Sequence, residues 1–326
     1  RAGPTDAAVI RPRLDSARGM ALSCGLAPEI GNRDPYWMAV SAIDEAVRNV
    51  VCVGGDPRRA AILDNFCWPS SEDPRALGAL VRACQACYDT ATAYGLPFIS
   101  GKDSLNNVFA MSEAEAARVR EAIAKRRHRG EPAIEWSTAR DRCRLSIPFT
   151  LLISAVALVD DVARCITSLP RVAEGQTANL LFVGFDADGW DGIELAAAAR
   201  LHLAVADLIR EGGARAVHDV SDGGIAVAVA EMAFGGDFDV NYHLPAEGRL
   251  SDPFARPPSA YIVQPAWDPD AVRARFEAVS DLRIEPVATL APSGPDGLFR
   301  FVRGKSVLAE EPISALRHAW RQPLDW

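Results

Sequence analysis

The stretch His218-Asp219-Val220-Ser221-Asp222-Gly223-Gly224 decides how the fold is read. Before it, Ala214 to His218 reads as a strand, and after it Ile225 to Phe234 is apolar and helical in pattern. Strand, polar glycine turn and helix N-terminus in succession make a layout suited to an anion, because the first N–H groups of a helix lack partners within it. Upstream, Ala178 to Phe185 reads as a strand and Gly192 to Glu211 as a helix ending at Gly212-Gly213. The result is an α/β alternation. Downstream, prolines at 253, 257, 258, 265 and 269 mark loop-rich sequence, with late strands expected at Tyr261-Ile262-Val263 and at Leu298 to Val302.

In the first half, Asp34-Pro35 places an N-cap and a first-turn proline ahead of a helix expected to run to about Val53. Val40, Ile43, Val47 and Val50 share one face, and Glu45 and Asn49, four apart, share the opposite one. Gly54-Gly55-Asp56-Pro57 ends it, and Ala60 to Leu63 reads as a short buried strand delivering Asp64 and Asn65 at its end. A second helix follows Asp73-Pro74 and stops at Gly95. Phe98-Ile99-Ser100 reads as a brief strand, after which Gly101-Lys102-Asp103-Ser104 turns the chain. Residues 112–130, dense in charge from Glu113 to Arg129, suit a solvated helical excursion. Phe149 to Val159 closes a first domain, so domains of 1–162 and 163–326 are expected.

At 326 residues two domains are natural. A net charge of −8 disfavours nucleic acid and anionic membrane as partners, so an anionic ligand must be held by local donors or a metal. No apolar run reaches membrane-spanning length. Seven irregularly spaced cysteines argue against a disulfide framework and for a reducing, cytoplasmic setting. Cys84 and Cys87 lack a second pair at zinc spacing and read as small helix residues. The chain starts Arg1-Ala2-Gly3-Pro4 without Met or a signal-like segment, which suits a fragment or trimmed product.

The carboxylates Asp6, Glu45, Asp64, Asp219 and Asp222 and the amide Asn49 lie in turns or on polar helix faces near glycines. Such oxygen donors suit magnesium shared with nucleotide phosphates better than zinc or iron. Each also has a plain structural reading, as helix cap or solvated side chain. No Walker sequence is present, since Gly101-Lys102-Asp103-Ser104 lacks the preceding glycine.

Six runs, in order, resemble the second half of the phosphoribosylformylglycinamidine synthase family: Gly3 to Ile10, Asp34 to Trp37, Ala42 to Val51, Ile62 to Trp68, Ile99 to Asn107 and His218 to Gly224. The likeness extends from residue 3 to the closing Trp320 to Trp326 stretch. It implies the aminoimidazole ribonucleotide synthetase-like two-domain half, of α/β (α+β) class. The N-terminal domain of such a half lends strands to a barrel shared with a partner half, and an α/β C-terminal domain follows. The implied activity is an ATP-dependent carbon–nitrogen ligase of purine biosynthesis, converting formylglycinamide ribonucleotide to the amidine with glutamine-derived ammonia.

Matched motif by motif, the resemblance makes Asp6, Glu45, Asn49 and Asp219 ligands of Mg2+ and puts Thr5 and Ser221 against an ATP or ADP that is auxiliary rather than reacting. Asp64 and Gly101 match positions reaching the catalytic nucleotide, and Ser104 a substrate-contacting serine. Lys102 stands where small-type synthases carry a metal-binding asparagine, and an ammonium has no lone pair to give a metal. The family's catalytic histidine lies in the first half, which leaves His218 to orient its turn or pack beside it. In Pro257-Pro258-Ser259-Ala260, Ala260 stands where the family has arginine.

Implied partners are the first half of the synthase or a second copy of this chain, a glutaminase subunit and a small bridging subunit. The glycine-rich loop and the glutaminase Cys-His pair are not in this sequence, so the chain alone is expected to be inactive with glutamine. Two other readings stand beside this one: a non-catalytic nucleotide-binding half, and a freestanding homodimeric ligase of the superfamily.

Overall fold

A computed structural model describes residues 3–126, 136–139, 142–187, 189–190, 193–294 and 297–322. Of the features read above, Arg1, Ala2, Arg127, Arg129, Gly192 and residues 323–326 lie outside the described residues. In chain order the first elements are β1 (Ala8–Ile10), β2 (Gly19–Leu26), α1 (Pro28–Gly31), α2 (Pro35–Cys52), β3 (Asp56–Cys67), α3 (Pro74–Tyr94) and β4 (Phe98–Ser104). Then come β5 (Val108–Met111), α4 (Glu113–Arg126), β6 (Trp136–Ala139), β7 (Arg142–Ser146) and β8 (Thr150–Val159). The rest of the chain forms β9 (Ala178–Phe185), α5 (Leu195–Arg210), β10 (Ala214–Asp219), α6 (Gly224–Ala233), β11 (Phe238–His243) and β12 (Tyr261–Pro265). It ends with α7 (Pro269–Arg275), β13 (Leu282–Pro292), β14 (Leu298–Arg303), β15 (Ser306–Pro312) and α8 (Ile313–Arg321).

The helix boundaries follow local chemistry. Asp34 Oδ1 accepts from the Tyr36 N–H at 2.9 Å, and Asp73 Oδ1 from the Arg75 N–H at 2.9 Å, so each aspartate satisfies a donor that its helix leaves open. α2 stops where Gly54 adopts φ +94° and the Gly55 N–H returns to Val50 O at 2.9 Å.

Three expectations change. α2 is not two-faced: from Met38 to Cys52 only Ser41 and Glu45 escape burial. Alanines allow this, since Gly25 of β2 lies so near the Ala42 carbonyl that any side chain there would collide with the helix backbone. The run 101–104 is not a turn. It continues β4, because parallel pairing with β3 from Ile62↔Phe98 to Cys67↔Ser104 supplies backbone partners that polar composition does not announce. The proline-rich end is not mainly loop, because it also carries β11, β13, β15, α7 and α8, with Pro286 accommodated at a register shift in β13.

The strands make a five-stranded sheet ordered β1-β2-β8-β3-β4, a seven-stranded sheet ordered β10-β12-β9-β13-β11-β14-β15, and a three-stranded sheet ordered β5-β7-β6. None of the described sheets closes on itself. The described chain forms two compact units, one of residues 1–23, 47–61 and 155–326, the other of 24–46 and 62–154. In the first, α6 packs its apolar surface (Ile225, Val229, Met232) with Leu180, Phe182, Val240, Ile262 and Leu290 of the large sheet, and Ile313 of α8 joins that core. Each such side chain contributes roughly 1.5–3 kcal/mol on burial. In the second unit, Trp68 stacks on Phe149 at 4.8 Å and donates its indole N–H to Ala76 O. No described helix is long and apolar enough to cross a membrane.

Candidate functional site

β10 delivers His218 and Asp219 at its end, where pairing with Ile262 and Tyr261 of β12 holds the backbone. The segment before β1 brings Asp6 to the same place. The Asp6 side chain is fully enclosed, and its Oδ1 accepts from the Asp219 N–H at 3.0 Å and lies 2.7 Å from His218 Nδ1. The other imidazole nitrogen, Nε2, is 3.1 Å from Glu231 Oε2 of α6. With a carboxylate at each nitrogen, His218 uses both as donors and is held as a cation. Arg48 of α2, 5% exposed, sends its guanidinium to Asp219 Oδ2 and Val220 O, both at 3.4 Å.

The charges follow from this packing. Burial pushes the His218 imidazole down, but the charge of Asp6 and the hydrogen bonds to Asp6 and Glu231 outweigh it and hold the ring well above its usual value. Burial pushes the Asp6 carboxyl up, and His218 with the Asp219 N–H overcomes it, leaving Asp6 below the usual range. Asp219 goes the other way, raised by burial despite Arg48. The enclosed Cys52 thiol is pushed well up by burial, then by Asp6 and Asp219.

Asp6, His218 and Asp219 bring one potential ligand atom each within 4.8 Å of one another. His218 has no lone pair left for a metal once both nitrogens donate. Asp6 Oδ2, in contrast, is buried and has no hydrogen-bond partner among the described residues. A buried carboxylate oxygen with nothing to accept from is costly unless a cation meets it. Beside it opens a cleft of about 770 Å3 lined by Gly3 to Val9, including Thr5 and Asp6, and by Val162 and Cys165 to Thr167. That volume falls in the range of small-molecule sites.

The other sequence candidates are placed as follows. Thr5 is exposed at the cleft, Ser221 is half-buried in the turn after β10, and Asn49 is buried on α2. Glu45 accepts from the Leu26 N–H at 3.1 Å in the other compact unit. Asp64, Gly101, Lys102 and Ser104 gather on neighbouring strands: Asp64 pairs with Gly101 in register, Asp64 Oδ1 accepts from the Lys102 N–H at 3.2 Å, and Lys102 Nζ donates to Ser104 Oγ. Burial raises the Asp64 carboxyl. Asp222 is exposed and pairs with Arg256 at 2.6 Å.

One expectation is overturned here. The N-terminus of α6 is not an open anion cradle, because the Ile225 and Ala226 N–H groups donate to Ala255 O (3.3 Å) and Pro253 O (2.8 Å) of the preceding-β12 loop. That loop approaches so closely that a Cβ at Gly224 would meet the Phe254 backbone. Sequence reading also missed Arg48 and Glu231. A signal existed for Glu231, the one charged residue in the otherwise apolar α6.

A two-domain α/β chain with buried carboxylates gathered at the end of the edge strand β10 defines a class, and its likeness to known proteins identifies it. Residues 4–114 match the AIR synthase related protein N-terminal domain and residues 175–274 its C-terminal domain. The chain belongs to the AIR synthase related family. Within that family it is similar to the phosphoribosylformylglycinamidine synthase subunit PurL of Rhodospirillum rubrum, 30% identical over 298 residues, covering 90% of this chain and 37% of that protein. The Nitrobacter winogradskyi PurL is 32% identical over 246 residues, covering 70% and 28%. The chain thus spans about a third of the length of these curated relatives. The fold matches T. maritima PurL in complex with ADP at a TM-score of 0.66 and 17% identity, over 97% of this chain and 46% of that one. A Thermus thermophilus protein matches at 0.56 and 16% identity, over 93% of this chain and 90% of its own.

Proposed function

We propose that this chain is one half of a phosphoribosylformylglycinamidine synthase, carrying a Mg2+-nucleotide site and lending residues to the catalytic site. The observation that carries the reading is Asp6: an enclosed carboxylate with one oxygen saturated and the other unpartnered, at the edge of a cleft that also presents Thr5. T. maritima PurL has been solved with ADP, with ATP and with FGAR, and in a PurLQS assembly, which supports nucleotide, substrate and subunit partners for a chain of this family.

In this reading Asp6, Asn49, Asp219 and Glu45 hold the metal, which supplies charge neutralisation to the nucleotide phosphates when bound. Oxygen donors of this kind suit a hard cation, and the unpartnered Asp6 oxygen fits one. His218 and Arg48 keep the carboxylates oriented by fixed positive charge, and Thr5 and Ser221 contact the nucleotide. Asp64 and Gly101 reach a second nucleotide, and Ser104 the formylglycinamide ribonucleotide, on the open side of β4. A domain boundary between residues 162 and 163 belongs to the same proposal. Partners are the other synthase half, a glutaminase subunit and a small bridging subunit, and the setting is the cytoplasm.

A freestanding homodimeric ligase is the second reading, favoured by one observation: the Thermus fold match spans nearly the whole of both chains. The test is nucleotide content. The purified chain is denatured, its released small molecules are separated, and the procedure is repeated after chelation. ADP that leaves with the metal supports the first reading. A stable dimer with its own ATP turnover supports the second, and a chain that neither retains nor binds Mg-nucleotide sinks both. Glu45→Ala and Asp219→Ala should each weaken Mg-nucleotide binding, and unchanged affinity in both would remove the metal assignment.

A further inference from the structure

Beyond the metal ligands themselves, a line of polar contacts joins the end of the chain to Asp6. The Trp320 indole N–H of α8 donates to Glu231 Oε1 at 2.8 Å, Glu231 Oε2 takes His218 Nε2 at 3.1 Å, and His218 Nδ1 meets Asp6 Oδ1 at 2.7 Å. We infer that Trp320 is a positioning residue, which through Glu231 and His218 holds the Asp6 carboxylate with its free oxygen presented to a bound cation. The inference rests on the reading of Asp6 as a metal ligand.

Each link has a single geometric task. Glu231 is the one charged residue in α6, and its two oxygens face two different donors, so the carboxylate cannot rotate without losing one of them. His218 is 4% exposed and is clamped between Glu231 and Asp6, so its ring plane is set by where Glu231 stands. Asp6 Oδ1 is then saturated by His218 and the Asp219 N–H, which leaves Oδ2 as the oxygen available to a cation. Partners behind a metal ligand orient it in this way and govern affinity without touching the metal.

The Trp320 ring does a separable job. It lies 5.8 Å from the Phe234 ring, while α8 is anchored independently by buried Ile313 and by Leu316 against the core. Trp320→Phe therefore removes the N–H donor and keeps an aromatic ring, and a pure packing role would survive it. Trp320 is 39% exposed, and its indole N–H is directed at Glu231 Oε1.

The full chain is labelled with 15N-histidine and observed by NMR without metal or nucleotide, with His218 signals assigned by their loss in His218→Gln. The wild type should show two slowly exchanging ring N–H protons from His218. In Trp320→Phe and in Glu231→Gln the Nε2–H signal should broaden or vanish, with the Trp320→Phe melting temperature within about 2 °C of wild type. Mg-ADP affinity in Trp320→Phe should fall about tenfold. Unchanged His218 signals in Trp320→Phe overturn the inference, as does signal loss accompanied by a large drop in melting temperature, which would make Trp320 a fold anchor. Were the wild type to bind no Mg-ADP while its His218 signals still answered to Trp320, the nucleotide reading would fail and the positioning line would stand.

Discussion

His218 and Asp6, 212 positions apart in sequence, meet at 2.7 Å in an enclosed pocket where each holds the other charged. Removing Asp6 leaves the enclosed His218 with Glu231 as the one carboxylate still hydrogen-bonded to its ring, and a buried charge that loses a partner is destabilised. Asp6→Asn keeps the volume and removes the charge. It should lower unfolding free energy by on the order of 3 kcal/mol in urea titration. A loss under about 0.5 kcal/mol, the scale of ordinary surface substitutions, would show that His218 is neutral in the native state.

Gly101 faces Asp64 across the β3–β4 pair, with the carboxylate occupying the space a Cβ would need. Gly101→Ala should therefore push the half-exposed Asp64 carboxylate off the Lys102 N–H and destabilise the chain by about 0.5–1 kcal/mol, the scale of one lost hydrogen bond. Asp64→Gly in the same chain should recover most of that loss, measured as a double-mutant cycle, and simple additivity would place the strain elsewhere.

A Cβ at Gly184 of β9 would lie 2.7 Å from the Cβ of Ala260, which is fully buried. Gly184→Ala should cost about 1–3 kcal/mol by thermal melting, and Ala260→Arg should prevent soluble expression, since an arginine there has neither room nor a route to water. Well-folded Ala260→Arg protein would mean that this strand end opens.

Tyr36 Oη donates to Asp89 Oδ2 at 2.9 Å, and burial, then that bond and the Asp89 charge, push the phenol up to about 12. Because the folded value exceeds the unfolded one near 10, the stability this group contributes is present below pH 10 and is lost as pH rises from there through 12. Tyrosine absorbance should show one phenol titrating late that is missing in Tyr36→Phe. The wild-type stability advantage over Tyr36→Phe should shrink across the same window, and a constant difference would contradict the bond.

Much of the backbone was legible because its causes are local. The caps Asp34 and Asp73, the stop at Gly95 and the apolar run Ala178–Phe185 act within a few residues, and each element lies where those signals put it. The extension of β4 through Ser104 was not legible, because polar residues in an edge strand look like a turn until a partner strand stands beside them.

The sequence by itself determined which residue types were on offer: Asp6, Glu45, Asn49 and Asp219 for a hard cation, and a strand–glycine–helix turn around His218. Only the tertiary structure decided what each of these groups meets. It closed the α6 N-terminus with the Pro253 and Ala255 carbonyls, put Arg48 on Asp219, and aligned Trp320, Glu231, His218 and Asp6 in one line. The reason is that a buried charge is stabilised by whatever group packing brings within about 3 Å, and packing joins residues whose separation along the chain carries no record of their meeting.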